Sequence, residues 1–203
     1  MTDKRLLSGL ALSILLLGGC ATMDSHQCRG ADWRLIGYQD GASGKQAGVI
    51  GTYREDCAEY AVVPDLDAYL AGRNAGLKEY CQPEKAYQLG ISGHGYNPVC
   101  PAASAGAFHS AYADGRNVYN ARSVVKSTHS RIRKRELEIS ELQHDKQQKL
   151  GDLVKRGLTG EQRVRILYDI HNIEQQISAL EEELDTLRHD LSHQQEYLAT
   201  LTR

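Results

Sequence analysis

The chain has 203 residues, with 24 Lys and Arg against 26 Asp and Glu, and a formal charge of −2. This length allows one domain or a domain with an extension, since domains have roughly 100–200 residues. The near-zero charge excludes the strongly basic face of a nucleic-acid-binding protein, so we expect no nucleic-acid partner. The 11 Tyr stand beside one Trp and one Phe, so large core-filling aromatic residues are scarce.

The first residues predict export from the cytoplasm. Two basic residues precede the apolar run Leu6–Leu17, which ends in small residues. A basic start, a short apolar stretch and small residues at its end are typical of a secretory signal peptide. The stretch is shorter than the about 20 apolar residues that a membrane-spanning helix needs. Residues 17–20, Leu-Gly-Gly-Cys, resemble a bacterial lipobox, so we expect a signal peptide over residues 1–19 and fatty acylation, including palmitate, on Cys20.

The lipobox resemblance also implies a location. Ala21 follows the acylated cysteine, where lipoproteins kept in the inner membrane of enteric bacteria carry Asp, so the resemblance implies a lipid anchor in the outer membrane. Residues 20–27 are interpreted as the lipidated cysteine with a short tether that reaches at most about 25 Å. No later apolar run has the 18 residues of a spanning helix. We therefore expect a protein anchored to the membrane with its folded part at the periplasmic face.

Four further cysteines, Cys28, Cys57, Cys81 and Cys100, predict two disulfides in an oxidising compartment, with three pairings open. Local closure favours Cys28–Cys57 and Cys81–Cys100, each worth typically about 2–4 kcal/mol. The rival interpretation is a metal site that uses these thiols with His94. Cysteine pairs at the spacing of structural zinc sites are absent, so we expect no metal and no cofactor.

Residues 28–103 are predicted to form a disulfide-stapled module rich in Gly and Tyr. This region holds 11 of the 19 Gly and 7 of the 11 Tyr, and disulfides and close backbone packing must compensate for a small apolar core. Pro64-Asp65 marks a helix start. Gly72 and Gly76, four residues apart, predict a groove for another element. Helical spacing puts five residues of this helix on one broad face: Leu66, Tyr69, Leu70, Arg73 and Leu77.

Few residues in this module point to chemistry. Residues 90–94, Gly-Ile-Ser-Gly-His, differ from a nucleophile elbow at the fifth position, so no catalytic residue is predicted. Trp33, Arg73 and Arg116 are the candidates for ligand contact, beside the simpler interpretation that they pack. The phrase Tyr-x-x-Gly-Arg at residues 69–73 recurs at 112–116 as a weak internal echo.

Residues 104–203 predict a long antiparallel coiled-coil hairpin. Apolar residues alternate three- and four-residue steps over five heptads. Gly157 suits a helix C′ position, and Thr159 with Gln162 forms a capping box, which places the turn near 157–160. The first arm, 116–156, has 11 basic and 5 acidic residues, and the second, 161–203, has 4 and 9, so the arms attract each other. The eleven seam positions are Ile166, Ile170, Ile173, Ile177, Leu180, Leu184, Leu187, Leu191, Gln194, Leu198 and Leu201.

Several motifs together resemble a bacterial lipoprotein family, domain of unknown function 2799 (DUF2799), over roughly residues 28–120. They are Trp33 through Gly44, Tyr69-x-x-Gly72-Arg73-x-x-Gly76, Gly90-x-x-Gly93, Cys100-Pro101 and Phe108-x-x-x-Tyr112-x-x-Gly115. The resemblance implies no activity, substrate or catalytic residue. We expect a mainly α, non-enzymatic outer-membrane lipoprotein whose hairpin binds a protein partner, cell-wall material or a second copy. The alternative is a small module that binds or hydrolyses cell-wall glycan.

Overall fold

The computed structural model describes residues 22–202, and the described chain is mainly α, with no strand. The predicted signal peptide and Cys20 lie outside the described residues. No helix among those described is both long and apolar enough to cross a membrane. The helices are α1 (Ser25–Arg29), α2 (Trp33–Ala42), α3 (Val49–Ala58), α4 (Leu66–Tyr80), α5 (Pro83–Ile91), α6 (Ala102–Leu153) and α7 (Gly160–Leu201).

The chain divides into two compact units, with the boundary inside α4 between Gly76 and Leu77. Unit 1 runs up to Gly76, and unit 2 begins at Leu77. The sequence analysis instead placed a boundary at residue 103, which assigned both disulfides to one module. The structure places one disulfide in each unit, because the segment that holds the second disulfide packs with the start of α6.

Unit 1 is built around the Cys28–Cys57 disulfide, which joins α1 to α3 with the two Cα atoms 5.5 Å apart. The start of α4 is as predicted, since Asp65 caps it by accepting a hydrogen bond from the Ala68 amide at 2.9 Å. Leu66, predicted to lie on the buried face of α4, is 41% exposed. The buried core residues of unit 1 are Met23, Cys28, Trp33, Tyr53, Cys57 and Tyr69.

Part of the segment predicted as a tether is folded onto unit 1. The Thr22 amide donates to Asp56 at 2.8 Å, the Met23 side chain is buried, and Asp24 caps α1 in a capping box with Gln27. Hydrogen bonds from the Thr22 hydroxyl and amide lower the pKa of the Asp56 carboxyl. Residues 22–27 therefore belong to the unit rather than to a free linker.

Unit 2 contains a second helix pair, α5 and the start of α6, with the Cys81–Cys100 disulfide beside it. Its buried core residues are Leu77, Tyr80, Cys81, Ala86 and Phe108. Both disulfides therefore have the pairing that the local loops favoured. Beyond this pair, α6 continues as one helix into the hairpin.

The α6–α7 hairpin has the predicted seam, since all eleven positions on α7 are buried or half-buried. Interhelical ion pairs join the basic arm to the acidic arm, including Lys146–Glu174 at 2.8 Å and Lys149–Asp169 at 3.0 Å. The hydrogen bond from Lys146 lowers the pKa of the Glu174 carboxyl. These pairs confirm the antiparallel arrangement that the charge asymmetry predicted.

The turn between the arms confirms one predicted cap and corrects the other. Thr159 and Gln162 form the expected capping box at the start of α7. However, α6 ends at Leu153 with Val154 as its C-cap, so Gly157 is not at the C′ position. Its φ of +86° instead serves the separate turn that follows, a backbone conformation that glycine adopts without steric cost.

Candidate functional site

The most chemically distinctive group of side chains is a buried polar cluster around Asp40 in unit 1. Asp40 is 3% exposed. Its carboxylate accepts hydrogen bonds from Tyr69 at 2.9 Å and Tyr53 at 3.0 Å, and the Lys45 ammonium lies 2.8 Å away. Burying a carboxylate is costly unless it is paired and hydrogen-bonded. Two hydroxyls and one cation meet that requirement here.

The cluster shifts the titration of its members in one direction. Burial raises the pKa of Tyr69 and of Tyr53, and the hydrogen bonds to Asp40 raise both further. The hydrogen bond to Asp40 raises the pKa of Lys45. The phenols are therefore held as neutral donors and the amine as a cation. The arrangement therefore stabilises the buried charge of Asp40.

Helices α2 and α4 cross so closely that only glycine fits at the crossing. A Cβ on Gly37 would collide with the Tyr69 carbonyl, and a Cβ on Gly72 with that of Arg34. A Cβ on Gly76 would meet the Tyr38 carbonyl and lie 2.6 Å from the Ala42 nitrogen. The predicted Gly72–Gly76 groove is thus confirmed, with α2 as the element that occupies it. This close crossing brings Tyr69 on α4 within reach of Asp40 on α2.

Two of the predicted ligand-contact residues belong to this same packed region. Trp33 is 8% exposed, with its ring centroid 6.4 Å from that of Tyr53. Arg73 is 7% exposed, and its guanidinium donates to the Lys45 carbonyl at 2.8 Å. The Nε atom of Arg73 is buried without a hydrogen-bond partner within the described part of the chain. Both side chains carry packing or backbone contacts inside unit 1.

Unit 2 repeats the helix end found in unit 1. Residues 38–44 read Tyr-Gln-Asp-Gly-Ala-Ser-Gly, and residues 87–93 read Tyr-Gln-Leu-Gly-Ile-Ser-Gly. Each segment closes its helix with a serine C-cap and a positive-φ glycine, +70° at Gly44 and +75° at Gly93. The next amide then bonds back five residues in both, from Lys45 to Asp40 and from His94 to Leu89. Both are Schellman-type ends.

The second helix of each pair also repeats, but one turn away from the register of the sequence echo. A Cβ on Gly76 would meet Tyr38 and Ala42, and a Cβ on Gly115 would meet the equivalent Tyr87 and Ile91. Gly115 therefore corresponds to Gly76. The Tyr-x-x-Gly-Arg echo would instead match it with the glycine four residues earlier.

The same shifted register relates two further positions. Arg73 donates to the Lys45 carbonyl, and Tyr112 donates to the His94 carbonyl at 3.0 Å. Each thus latches the carbonyl of the residue that follows the positive-φ glycine. The buried aromatic residue, the residue that donates to this carbonyl and the crossing glycine therefore have the same spacing in both units. They are Tyr69, Arg73 and Gly76 in unit 1 and Phe108, Tyr112 and Gly115 in unit 2.

The two units differ at one coupled pair of positions. Where unit 1 has Asp40 and Tyr69, unit 2 has Leu89 and Phe108. Tyr69 is 0% exposed and Phe108 is 1% exposed, so the aromatic ring is buried in both. The phenol hydroxyl is present only where a carboxylate faces it. The helix pair can thus be built with an apolar pair, and unit 1 has a charged one in its place.

Arg116, the third predicted ligand contact, lies on α6 in unit 2. Its guanidinium carbon is 4.8 Å from the centroid of the Tyr119 ring, a cation–π geometry. Arg116 is half-buried rather than enclosed. Trp33 and Arg73 belong to unit 1, so each of the three predicted residues is explained by neighbours in its own unit.

The hairpin carries shallow grooves between α6 and α7. One groove, of about 610 Å³, has an acidic side formed by Glu138, Glu141 and Asp145 and an apolar floor that includes Leu142 and Leu180. A smaller one, of about 200 Å³, is lined by Asn117, Asn120, Ala121, Val124, Gln194 and Tyr197. Within residues 22–202, no three His, Cys, Asp or Glu side chains are grouped so as to hold a metal ion.

Sequence reasoning missed Asp40, Lys45 and Tyr53. It quoted Asp40 as part of a motif without giving it a role, and neither Lys45 nor Tyr53 stood out. The one signal was an acidic residue beside a glycine within a helix, Asp40-Gly41, four residues before the helix-ending Gly44. An aspartate at such a position is most often solvated, so only the fold identifies it as buried.

The described chain is thus an all-helical protein with two helix pairs, each with its own disulfide, the second of which extends into a coiled-coil hairpin. Residues 32–117 match the family described as a protein of unknown function (DUF2799). The matched segment contains both helix crossings and the Asp40 cluster. No curated protein and no solved structure matches the chain.

Proposed function

We propose that this protein is a non-enzymatic lipoprotein of the bacterial cell envelope, anchored through Cys20 in the outer membrane and facing the periplasm. In this proposal each helix pair is a structural support, and the hairpin is the arm that binds other envelope components. The observation that carries the proposal is that the residues of the family motifs make structural contacts. They pack at helix crossings, end helices and form hydrogen bonds with one another.

The second support is the hairpin itself. Helix α7 has 42 residues, which corresponds to about 63 Å at 1.5 Å per residue. Two such helices held by a continuous seam present a long, charged surface with no enclosed cavity among the grooves described above. A surface of this kind suits a macromolecular partner better than a small substrate.

The third support concerns the compartment. Two disulfides form and persist in an oxidising environment such as the periplasm. The lipobox-like residues 17–20 add the anchoring step, and several acyl chains on one cysteine give stable attachment. The folded position of Thr22 and Met23 would then hold unit 1 within a few residues of the bilayer.

The alternative, a module that binds or hydrolyses cell-wall glycan, has less support. Hydrolysis needs a cleft with two carboxylates or a nucleophile–base pair. The grooves described above lie on the hairpin, and the carboxylate of Asp40 is enclosed by its own partners. Glycan contact through Trp33, Arg73 and Arg116 stays a prediction.

The anchor is tested by mass spectrometry of the protein recovered from cells. We expect an N-terminal peptide that starts at an acylated Cys20, and a Cys20→Ser chain that carries no lipid and leaves the outer-membrane fraction. A mature chain that still starts at Met1 would contradict the proposal.

The arm is tested by shortening it without changing its register. Deleting residues 136–149 and 169–182 removes two heptads from each arm and keeps the turn, because Lys149 pairs with Asp169 at one end of the deleted block. We expect this full-length variant to be folded and membrane-bound but to lose partners recovered by in-cell cross-linking. An unchanged set of cross-linked partners would refute the role of the arm.

A further inference from the structure

An exposed apolar patch lies at the distal end of the hairpin, next to the turn. Five large apolar or aromatic side chains there face solvent. The exposed fractions are 80% for Val154, 67% for Val164, 64% for Tyr168, 51% for Leu167 and 37% for Leu150. We call these five residues the distal patch.

The residues of the distal patch lie at matching levels on the two helices. Lys149 pairs with Asp169, and Arg163 donates to the Leu153 carbonyl at 2.6 Å. These contacts place residue 150 opposite 168 and residue 154 opposite 164. The patch therefore spans about one helical turn, or roughly 6 Å along each helix.

Most of the patch also shares one flank of the hairpin. Leu150, Val154 and Leu167 directly follow Lys149, Leu153 and Ile166, which are half-buried between the two helices. The ion pair between Glu136 and Arg188, at 3.1 Å, joins residues that likewise directly follow interface residues, Arg135 on α6 and Leu187 on α7. Positions of this kind on α6 and α7 are thus on the same side. Leu150, Val154 and Leu167 therefore face the same side of the hairpin, and Val164 and Tyr168 are exposed at the same level of α7.

The surface that continues from the patch along this flank is almost free of charge. The next flank positions are Gln143, Gln147, His171 and Ser178, all exposed. Glu174, which lies between His171 and Ser178 on the same flank, is ionised but is paired with Lys146 at 2.8 Å. The opposite flank, in contrast, carries the acidic side of the large groove. An apolar, nearly uncharged strip therefore covers only the distal half of one flank.

We propose that the distal patch is a self-association surface, which pairs the hairpins of two copies of this chain into a short four-helix bundle. This deepens the proposed function, since it names a second copy as a partner of the arm. A twofold contact places the same patch against itself and covers both patches in one interface. Self-pairing meets no like-charge repulsion here, because the flank has no net charge.

The area available is consistent with a weak or moderate dimer. The five exposed side chains offer on the order of 500 Å² per copy, which is at the upper end of what monomers leave uncovered. A standard interface buries about 800 Å² per partner. The neighbouring glutamines and His171 supply the polar rim that brings the contact to this size.

Two other occupants are less consistent with the strip. An anionic bilayer would require cations that are free to bind it, but next to the patch Lys155 is paired with Asp152, Arg165 is paired with Glu161, and Arg163 donates to the Leu153 carbonyl. A highly charged protein would find no complementary charges there. Both are outcomes that the experiment separates from self-pairing.

The test introduces cysteines into the full chain in cells, where Cys28, Cys57, Cys81 and Cys100 are already joined in two disulfides. Val154→Cys and Val164→Cys should give a covalent dimer on a non-reducing gel. Leu137→Cys is the matched control, because Leu137 is 66% exposed on α6 but outside the patch flank. Equal cross-linking of the control and the patch variants would overturn the proposal.

The second measurement is sedimentation equilibrium of the purified full chain. The triple variant Val154→Gln, Val164→Gln and Leu167→Gln should weaken dimerisation roughly a hundredfold, with the helical circular dichroism signal retained. Leu137→Gln should have no effect. A parent chain that stays monomeric at all concentrations, or a patch variant that loses only binding to phosphatidylglycerol vesicles, would overturn the inference. Because sedimentation measures mass and not location, a dimer without acylation would refute the anchor and leave this inference standing.

Discussion

Transplanting the apolar pair of unit 2 into unit 1 tests whether the two helix pairs are built alike. The change is Asp40→Leu together with Tyr69→Phe, which copies Leu89 and Phe108. If the units share one architecture, unit 1 should accept this pair far better than it accepts the Asp40 substitution alone. The prediction concerns the coupling between the two positions rather than the total change in stability.

The magnitude follows from the contact between the two side chains. Tyr69→Phe alone removes a 2.9 Å hydrogen bond to a buried carboxylate, which costs about 1.5–3 kcal/mol. Asp40→Leu alone leaves the enclosed Tyr69 hydroxyl without its acceptor, at about 1–3 kcal/mol, and also frees Tyr53 and Lys45. In the double variant the orphaned Tyr69 hydroxyl is gone, while the losses at Tyr53 and Lys45 cancel in the cycle. We expect a coupling free energy of about 1–3 kcal/mol.

Trp33 makes the assay specific to unit 1. It is the single Trp of the chain, it is 8% exposed, and it lies in the same core as Tyr69. Urea unfolding followed by Trp33 fluorescence therefore gives the free energy of unfolding of unit 1 for the four proteins of the cycle. Far-ultraviolet circular dichroism would mainly report the long hairpin.

The control replaces Tyr69→Phe by Tyr60→Phe. Tyr60 packs against the same core but donates no hydrogen bond to Asp40 in the structure. Asp40→Leu and Tyr60→Phe should be additive within about 0.5 kcal/mol. Equal additivity for Asp40→Leu and Tyr69→Phe would refute the claim that the hydroxyl serves the carboxylate.

Three further predictions use other contacts. Gly115→Ala should lower stability by about 1–3 kcal/mol, because its Cβ would collide with the α5 backbone. Gly106→Ala, whose Cβ would meet nothing within 4 Å, should raise stability by up to about 1 kcal/mol. Thermal unfolding would measure both, and equal effects would refute the close crossing at Gly115. Because the pKa of Tyr69 is raised in the folded state, its contribution to stability is fully present below the unfolded pKa of 10.0 and is lost as the pH rises through the folded pKa. Trp33 fluorescence should therefore show unit 1 unfolding only above about pH 10. Stability that does not change there would contradict the burial of the phenol. Arg135→Glu should lower the thermal unfolding temperature of the hairpin through repulsion from Glu183. Adding Glu183→Arg should restore it, and both effects should be smaller in 1 M salt. A double variant no more stable than the single variant would refute the pairing.

The hairpin could be predicted because its signal is periodic and repeated. A seam of eleven positions tolerates one polar member, Gln194, and still specifies which face is buried. The opposite charges of the arms then select the antiparallel partner, and Thr159 with Gln162 marks the second start. Each of these signals is local or additive along the chain, so the sequence carries it directly.

The units were harder to predict because their contacts depend on backbone approach. Gly72 and Gly76 predicted a close helix crossing, but nothing in the sequence indicated that α2 packs there. The echo between residues 69–73 and 112–116 pointed to a repeat in the wrong register, since it matched identical letters. The structural match follows the crossing glycine, and a helix can shift by one turn while keeping the same face.

The buried Asp40 could not be predicted, because a carboxylate is placed inside a protein by its partners and not by its neighbours in sequence. Tyr53 comes from α3 and Tyr69 from α4, 13 and 29 residues away. Leu66 failed in the opposite sense: its helical spacing indicated burial, but it lies in the first turn of α4 and is 41% exposed. Periodicity identifies a face, and the extent of the neighbouring element decides how far that face is covered.

The matched domain and the hairpin share one helix, and this connects the support to the arm. The family match ends at residue 117, yet α6 continues unbroken from Ala102 to Leu153. Within unit 2, α5 packs on the first turns of α6 through Gly90 and Gly115, so the direction of the hairpin relative to α5 is fixed by a crossing that lies inside the domain. A larger residue at Gly115 would therefore be expected to change the angle between α5 and α6 without changing the seam of the hairpin.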